Sequence, residues 1–262
     1  MSQKSLKQKV LNAAPFLKPW IWKVKYTLFY KNTLFGLLFD TFYTHYTANG
    51  CQFVVPKDLT PRYFRARFFW DVYERHERNL VVRYFDDNDI VLELGACLGV
   101  VSCIANKKQN GKGRYIAVEA NPQVIPYLQQ NKQLNNATFD VCNCLVSNTS
   151  DGTFFLHKLV VGGSAQQKNA QKINVPVKTL PQIEHEYHIE HGFNAFIIDI
   201  EGGECDFLSE NETYLTKINK IMIEWHNYVV GEHATQQAKN ILQKNGFQLI
   251  EQRGYSELWT KK

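Results

Sequence analysis

Four residues in the carboxy-terminal part of the chain carry groups that can move protons. Asp199 and Glu201 stand in the run Asp199-Ile200-Glu201-Gly202-Gly203-Glu204, and Glu224 and His226 flank Trp225. Each pair closes a short apolar run, FNAFIIDI or KIMIEWH, so both fall at strand ends, where open α/β sheets bind their ligands. Three carboxylates and an imidazole on one rim are costly to keep there for structure alone. Together they suit removal of a hydroxyl proton while the oxygen attacks an electrophile. His226 or Asp199 is the candidate base, with Glu201 and Glu224 orienting the acceptor or the base. Asp199, Glu201 and Glu224 also offer the hard oxygens that a divalent cation takes, although this reading needs no metal.

A second constellation suits a nucleoside. Glu93-Leu94-Gly95-Ala96-Cys97-Leu98-Gly99 puts an acid at a strand end and two glycines four apart across the turn into a helix. Such a turn is tight enough for a ligand to lie on backbone atoms at Gly95, Ala96 and Gly99. The spacing is not G-x-G-x-x-G, which disfavours a dinucleotide. Glu119 ends the next strand 20 residues after Gly99 and precedes Asn121. A carboxylate there can accept both ribose hydroxyls; taken alone, it would equally cap the following helix. Asn143, between Cys142 and Cys144 on a third strand, is placed to bond the edge of an adenine. The two cysteines share a face and are not expected to bridge.

The elements that position these residues alternate regularly from residue 89 onward. Strands are expected at 90–94, 114–120, 138–146, 193–200 and 220–226, with helices over about 98–108, 122–133, 179–188 and 234–245. DGTFFLH (151–157) reads as a hairpin arm after an Asp-Gly turn, and 162–174 as a loop. FQLIEQ and SELWTK close the sheet as an antiparallel pair. The order predicts a doubly wound, Rossmann-like α/β sheet, mainly parallel with an antiparallel carboxy-terminal strand. Upstream, DVYERHERNLVVRYF predicts a helix burying Val72, Leu80, Val81 and Phe85. Arg62, Arg65 and Arg67 alternate with rings, a mixture that favours packed rings with snorkelling arginines over a nucleic-acid surface.

These residues, in this order and spacing, resemble the FkbM-type methyltransferases. VLELGACLGVVS carries E-x-G-x-x-x-G, the first motif of class I S-adenosylmethionine methyltransferases. IAVEANP, FDVCNCLVSNTSDGTFF, IIDIEGGECDFL and IMIEWH follow, with D-x-E-G-x-E the most specific part, and WDVYERHE resembles a Tyr-Glu-x-x-Glu segment found before the first motif. The resemblance covers about residues 50–250. Glu93 stands where Asp is commoner, one methylene longer, and Cys97 where Asn is usual, which removes a polar side chain near the methionyl end. The resemblance implies a class I sheet and S-adenosylmethionine as cofactor, held by Glu93, Gly95, Ala96, Gly99, Glu119, Asn121 and Asn143. It also implies O-methylation of a sugar hydroxyl on a glycan, polysaccharide or glycosylated precursor. No Asn/Asp-Pro-Pro-Tyr/Phe follows the fourth strand, the arrangement that holds amines in N-methylating relatives. Methylation of RNA or protein, or a cofactor-binding pseudoenzyme, is the competing reading.

Charge distribution bears on the partner. The 262-residue chain is formally +5, yet residues 1–39 hold seven Lys and no acid, leaving 23 basic and 25 acidic residues in the remainder. The near-neutral body argues against nucleic acid. Residues 1–48 form a basic, aromatic, helical arm before a domain at 49–262. The arm is expected to dock on the body or a second copy, or to touch a membrane surface peripherally. The six cysteines have no paired metal spacing and read as reduced thiols. The first residues lack the apolar core of an export signal, so a cytoplasmic protein is expected. His157, His185, His188 and His191 read as loop or helix-face residues.

Overall fold

The computed structural model describes residues 26–30, 32–156 and 171–261. Helix α1 (Thr33–Phe42) begins on Asn32, whose side chain accepts a hydrogen bond from the Leu34 N–H, and leads to the hairpin β1 (Tyr46–Ala48) and β2 (Cys51–Phe53). Helices α2 (Arg62–Phe69) and α3 (Arg75–Tyr84) follow. The alternating body then runs β3 (Ile90–Leu94), α4 (Val100–Gln109), β4 (Arg114–Val118), α5 (Ile125–Leu134) and β5 (Asp140–Cys142). Short strands β6 (Leu145–Val146), β7 (Thr153–Leu156), β8 (Gln171–Asn174) and β9 (Val177–Lys178) lead to α6 (Leu180–Glu186) and β10 (Ala195–Ile198). The chain ends with α7 (Glu204–Glu210), β11 (Lys220–Glu224), α8 (Asn227–Val230), α9 (Glu232–Lys244), β12 (Phe247–Arg253) and β13 (Ser256–Lys261).

The main sheet has the order β12-β13-β11-β10-β3-β4-β5. Strands β5, β4, β3, β10 and β11 are parallel, and β13 inserts antiparallel between β11 and β12. The expected doubly wound α/β sheet is therefore present, with its order reversing between β3 and β10. Period-2 alternation divides the core in two. Val91, Tyr115, Ala117, Ile197 and Met222 pack on one face, and Leu92, Ile116, Phe196, Ile198 and Ile221 on the other. Both faces are covered, which is why these strands read as continuous apolar runs. Burying a side chain such as Leu92 contributes about 1.5–3 kcal/mol.

Three differences from the sequence expectation have physical causes. The helix expected from residue 71 starts at Arg75, because Asp71 and Glu74 take left-handed backbone (φ 49° and 46°) that no right-handed helix continues. Val72 thus sits half-buried in a turn. The third strand joins the sheet only at 140–142; the chain turns away at Asn143, and Leu145-Val146 pairs instead with Val177-Lys178. Within the expected loop at 162–174, Gln171–Asn174 is a strand paired with β7. The bend at Asn143 also brings the Cys142 and Cys144 sulfurs to 3.4 Å, and no disulfide joins them. All six cysteines are free thiols.

The β1–β2 hairpin runs across the 48/49 boundary taken from composition. Arg65 is nearly fully buried, with Nε and Nη2 each 2.6 Å from an Asp40 oxygen, a two-pronged, charge-assisted pair. Arg67 lies 4.7 Å over the Phe64 ring. The arginine–aromatic stretch is thus a packed helix that ties α1 to α2. Residues 1–25 and 31 of the expected arm lie outside the described residues. Among the described residues, no helix is long and apolar enough to cross a membrane.

Candidate active site

The carboxyl ends of β3, β4, β10 and β11 open into one cleft of about 650 Å³, within the range of small-molecule sites. Gly95 sits at its floor with φ 86°. A Cβ there would stand 1.8 Å from the Asp199 carbonyl oxygen, so only glycine lets the turn after β3 pass so close to the end of β10. The Gly95 and Ala96 N–H groups both donate to the Val118 carbonyl, at 2.9 and 3.0 Å. Glu119 lines the cleft beside them. Its Oε2 accepts from the Cys97 N–H (2.8 Å) and its Oε1 from the Asn121 N–H (2.7 Å). Burial raises the Glu119 pKa, and those N–H groups oppose the rise.

The other expected cofactor residues support this wall from behind. The Asn143 amide donates to the carbonyls of Glu119 (2.7 Å) and Ala120 (3.2 Å); it clamps the strand end, while its neighbour Cys144 lines the cleft. Asn121 turns the chain, its side chain accepting from the Gln123 N–H at 3.0 Å. Ala96 is buried, and Gly99 starts α4 with φ 76°. Glu93 does not line the cleft. Strand alternation points it with Val91 toward α4, where it is buried and Ser102 Oγ donates to it. Burial raises its pKa to about 7, against the hydrogen bond from Ser102.

Asp199, Glu201 and Glu224 line the opposite half of the cleft. His226 lies behind them, only 4% exposed. Its Nδ1 is 2.8 Å from Glu204 Oε1, and its Nε2 is 3.4 Å from Glu201 Oε2 and 3.6 Å from Asp199 Oδ1. Glu204 is fully buried and also accepts from the Gly202 N–H at 3.0 Å. A carboxylate behind an imidazole fixes the ring and steadies its charge. The four expected residues are therefore brought together, with Glu204 as an unexpected fifth.

Burial sets the protonation of this cluster. It raises Asp199 well above the usual carboxylate range, with the charges of Glu224, Glu201, Glu77 and Glu74 adding to the rise. Burial and then Glu77 carry Glu224 to about 8, and burial raises Glu201. For His226 burial works downward, but the Glu204 hydrogen bond and the charges of Glu201, Glu204 and Glu224 prevail and raise it to about 9. The cluster thus holds surplus acid and retains protons at neutral pH, an electrostatic demand for a cation. Asp199, Glu224 and His226 each offer one ligand atom, all within 4.8 Å of one another. His226 stands in this metal-capable set where Glu201 was expected.

The amino-terminal segment supplies a wall that site reasoning from sequence missed. Tyr73 and Glu74, in the turn between α2 and α3, and Glu77, in the first turn of α3, line the cleft. The Tyr73 hydroxyl donates to Cys97 Sγ at 3.6 Å, and Ser256 Oγ donates to Glu77. Their only sequence signal was the WDVYERHE segment. Glu204 had a clearer one, as the last acid of D-x-E-G-x-E. Cys97 itself holds left-handed backbone with φ 47°, a conformation that suits Asn better than Cys.

Residues 93–252 match the profile of the methyltransferase FkbM domain. A search of curated proteins returns no match. Among solved structures, the precorrin-6y C5,15-methyltransferase of Geobacter metallireducens is 14% identical with a TM-score of 0.47, covering 80% of this chain and 94% of that one. The Methanococcus jannaschii fibrillarin pre-rRNA processing protein is 12% identical with a TM-score of 0.44, covering 67% of each chain. The Aeropyrum pernix fibrillarin, crystallised with natively bound S-adenosyl-L-methionine, is 11% identical with a TM-score of 0.42, also covering 67% of each. None of these likenesses bears on which acceptor atom this cleft serves.

Proposed function

Because this chain belongs to the FkbM methyltransferase family, we propose that its cleft takes S-adenosylmethionine and methylates a sugar hydroxyl of a glycan, polysaccharide or glycosylated precursor. The observation that carries the reading is the union, in one cleft, of a ribose-type carboxylate, Glu119, with the Asp199–Glu201–Glu224 rim. The residues present fit the cofactor. Glu119 keeps acceptor capacity beyond its two backbone hydrogen bonds, Val118 and Cys144 give an apolar wall for a base, and the acid surplus complements a positive charge. When bound, S-adenosylmethionine supplies an electrophilic methyl group on a positively charged sulfur.

This chain's own residues do the rest. Asp199, which lines the cleft, takes the proton of the attacking hydroxyl in its ionised form. His226, pinned by Glu204, sits behind Asp199 and Glu201 and balances the charge that forms there. Glu201 and Glu224 accept hydrogen bonds from the acceptor and fix its approach. Phe64, Val72 and Tyr73 close the wall against competing water. A screen of labelled methyl transfer over methyl glycosides tests the acceptor class. Transfer to at least one glycoside, lost on O-acetylation of one hydroxyl, is the expected result. Label on RNA or protein alone would overturn it.

A further inference from the structure

Two buried thiols outside the proposed chemistry stand against the cofactor wall. Cys142 and Cys144 are each about 1% exposed, with sulfurs 3.4 Å apart. Lys178 Nζ lies 3.7 Å from Cys142 Sγ, held from its other side by Glu186 at 2.8 Å. Cys144 lines the cleft, whereas Cys142 does not. The residue between them is Asn143, whose amide clamps the carbonyls of Glu119 and Ala120. Any closure of the 142–144 pair must therefore move the strut beneath the Glu119 carboxylate.

We propose that Cys142 and Cys144 form a modification site: a small hydroperoxide closes them into a disulfide that displaces Asn143 and weakens cofactor binding at Glu119. The second half rests on the cofactor reading given above. The hydroperoxide enters along the cleft, where Cys144 is reached first. Cys144 passes its proton across the 3.4 Å contact to the Cys142 thiolate. The Cys144 thiolate so formed attacks one peroxide oxygen, the O–O bond breaks, and the departing hydroxide takes up the proton that Cys142 had released to solvent on ionising, leaving as water and giving a sulfenic acid. Cys142 then attacks that sulfur. The S–S bond forms, the S–O bond breaks, and hydroxide leaves with the Cys142 proton as a second water. Two thiols and one hydrogen peroxide thus give one disulfide and two waters.

The surroundings favour this outcome over oxidation to sulfinic acid. The partner sulfur is already in contact, so the resolving step needs only a local shift at Asn143. The Cys142 thiol is drawn down to about 6 by its hydrogen bond with Cys144, with Lys178 adding to the effect against burial, while the same contact and burial push the Cys144 thiol well up; the pair's thiolate therefore rests on Cys142 and reaches Cys144 by proton transfer between the touching sulfurs. The chain bend at Asn143, which takes residues 145–146 out of the main sheet, gives the backbone freedom that a straight strand denies to an i, i+2 pair.

The test uses the full chain treated with hydrogen peroxide, then alkylated and mapped by peptide mass spectrometry. The peptide holding both cysteines should lose two hydrogens and resist alkylation until dithiothreitol is added. Calorimetry with S-adenosylmethionine should show at least tenfold weaker binding to the oxidised protein, restored on reduction. Bound cofactor should slow the oxidation. Cys142→Ser should abolish both the mass loss and the drop in affinity. Stable sulfinic acid at Cys144 with no disulfide would overturn the proposal, as would a disulfide with unchanged affinity. Failure of the reduced protein to bind S-adenosylmethionine would instead sink the cofactor reading, while mass alone judges the disulfide.

Discussion

The Cα of Gly95 approaches the carbonyl of Asp199 so closely that an added Cβ would stand 1.8 Å from its oxygen. The cofactor turn and the proposed base are thus one mechanical unit, built where the sheet order reverses. Gly95→Ala should displace both. Gly111, also left-handed (φ 76°) but with nothing within 4 Å, separates steric from backbone cost. Gly111→Ala should lose only the left-handed penalty of about 1–2 kcal/mol. Gly95→Ala should lose a further overpacking cost of about 1–3 kcal/mol together with cofactor binding. Urea unfolding and calorimetry check both; equal costs at the two sites would contradict the coupling.

Glu119 should govern affinity and not the transfer step. Replacing it with Gln keeps the shape and removes the charge that strengthens hydrogen bonds to ribose hydroxyls. Such bonds contribute about 1.5–3 kcal/mol, so Glu119→Gln should weaken S-adenosylmethionine binding about tenfold to a hundredfold. Calorimetry reads this directly.

The acid surplus makes cofactor binding a proton-linked event. Glu224, Asp199, Glu201 and His226 all have pKa values raised in the folded protein, so the folded state holds more protons than the unfolded chain. Their contribution to stability is full below the unfolded carboxylate values and falls as pH rises, with His226 losing its share through about 9. A positively charged ligand reverses the balance and expels protons. S-adenosylmethionine affinity should therefore rise with pH up to about 9, and calorimetry in buffers of different ionisation enthalpy should report proton release. Uptake would contradict the account.

The Glu204–His226 contact predicts a titration shift. Glu204→Gln removes the leading upward influence on the imidazole. By NMR, the His226 pKa should fall from about 9 toward the ordinary histidine value near 6.5. An unchanged pKa would place its cause elsewhere.

Asp199, Glu201, Glu224 and Glu119 were legible because each ends an apolar run, and Gly95 because a tight turn needs it. Glu93 was misplaced in depth: its strand alternates, and the position that faces Ser102 cannot also face the cleft. Tyr73, Glu74 and Glu77 were hidden for another reason. They reach the cleft through left-handed backbone at Asp71 and Glu74, which no glycine announces. The helix period read through that segment continued where the chain in fact turns.

The most direct measurement is labelled methyl transfer by Asp199→Asn beside its S-adenosylmethionine affinity. A general base contributes about 10²–10⁴-fold to rate. The account predicts cofactor binding within a few-fold of the parent protein and transfer to the sugar hydroxyl reduced by at least about a hundredfold. Retained binding with undiminished transfer would contradict it.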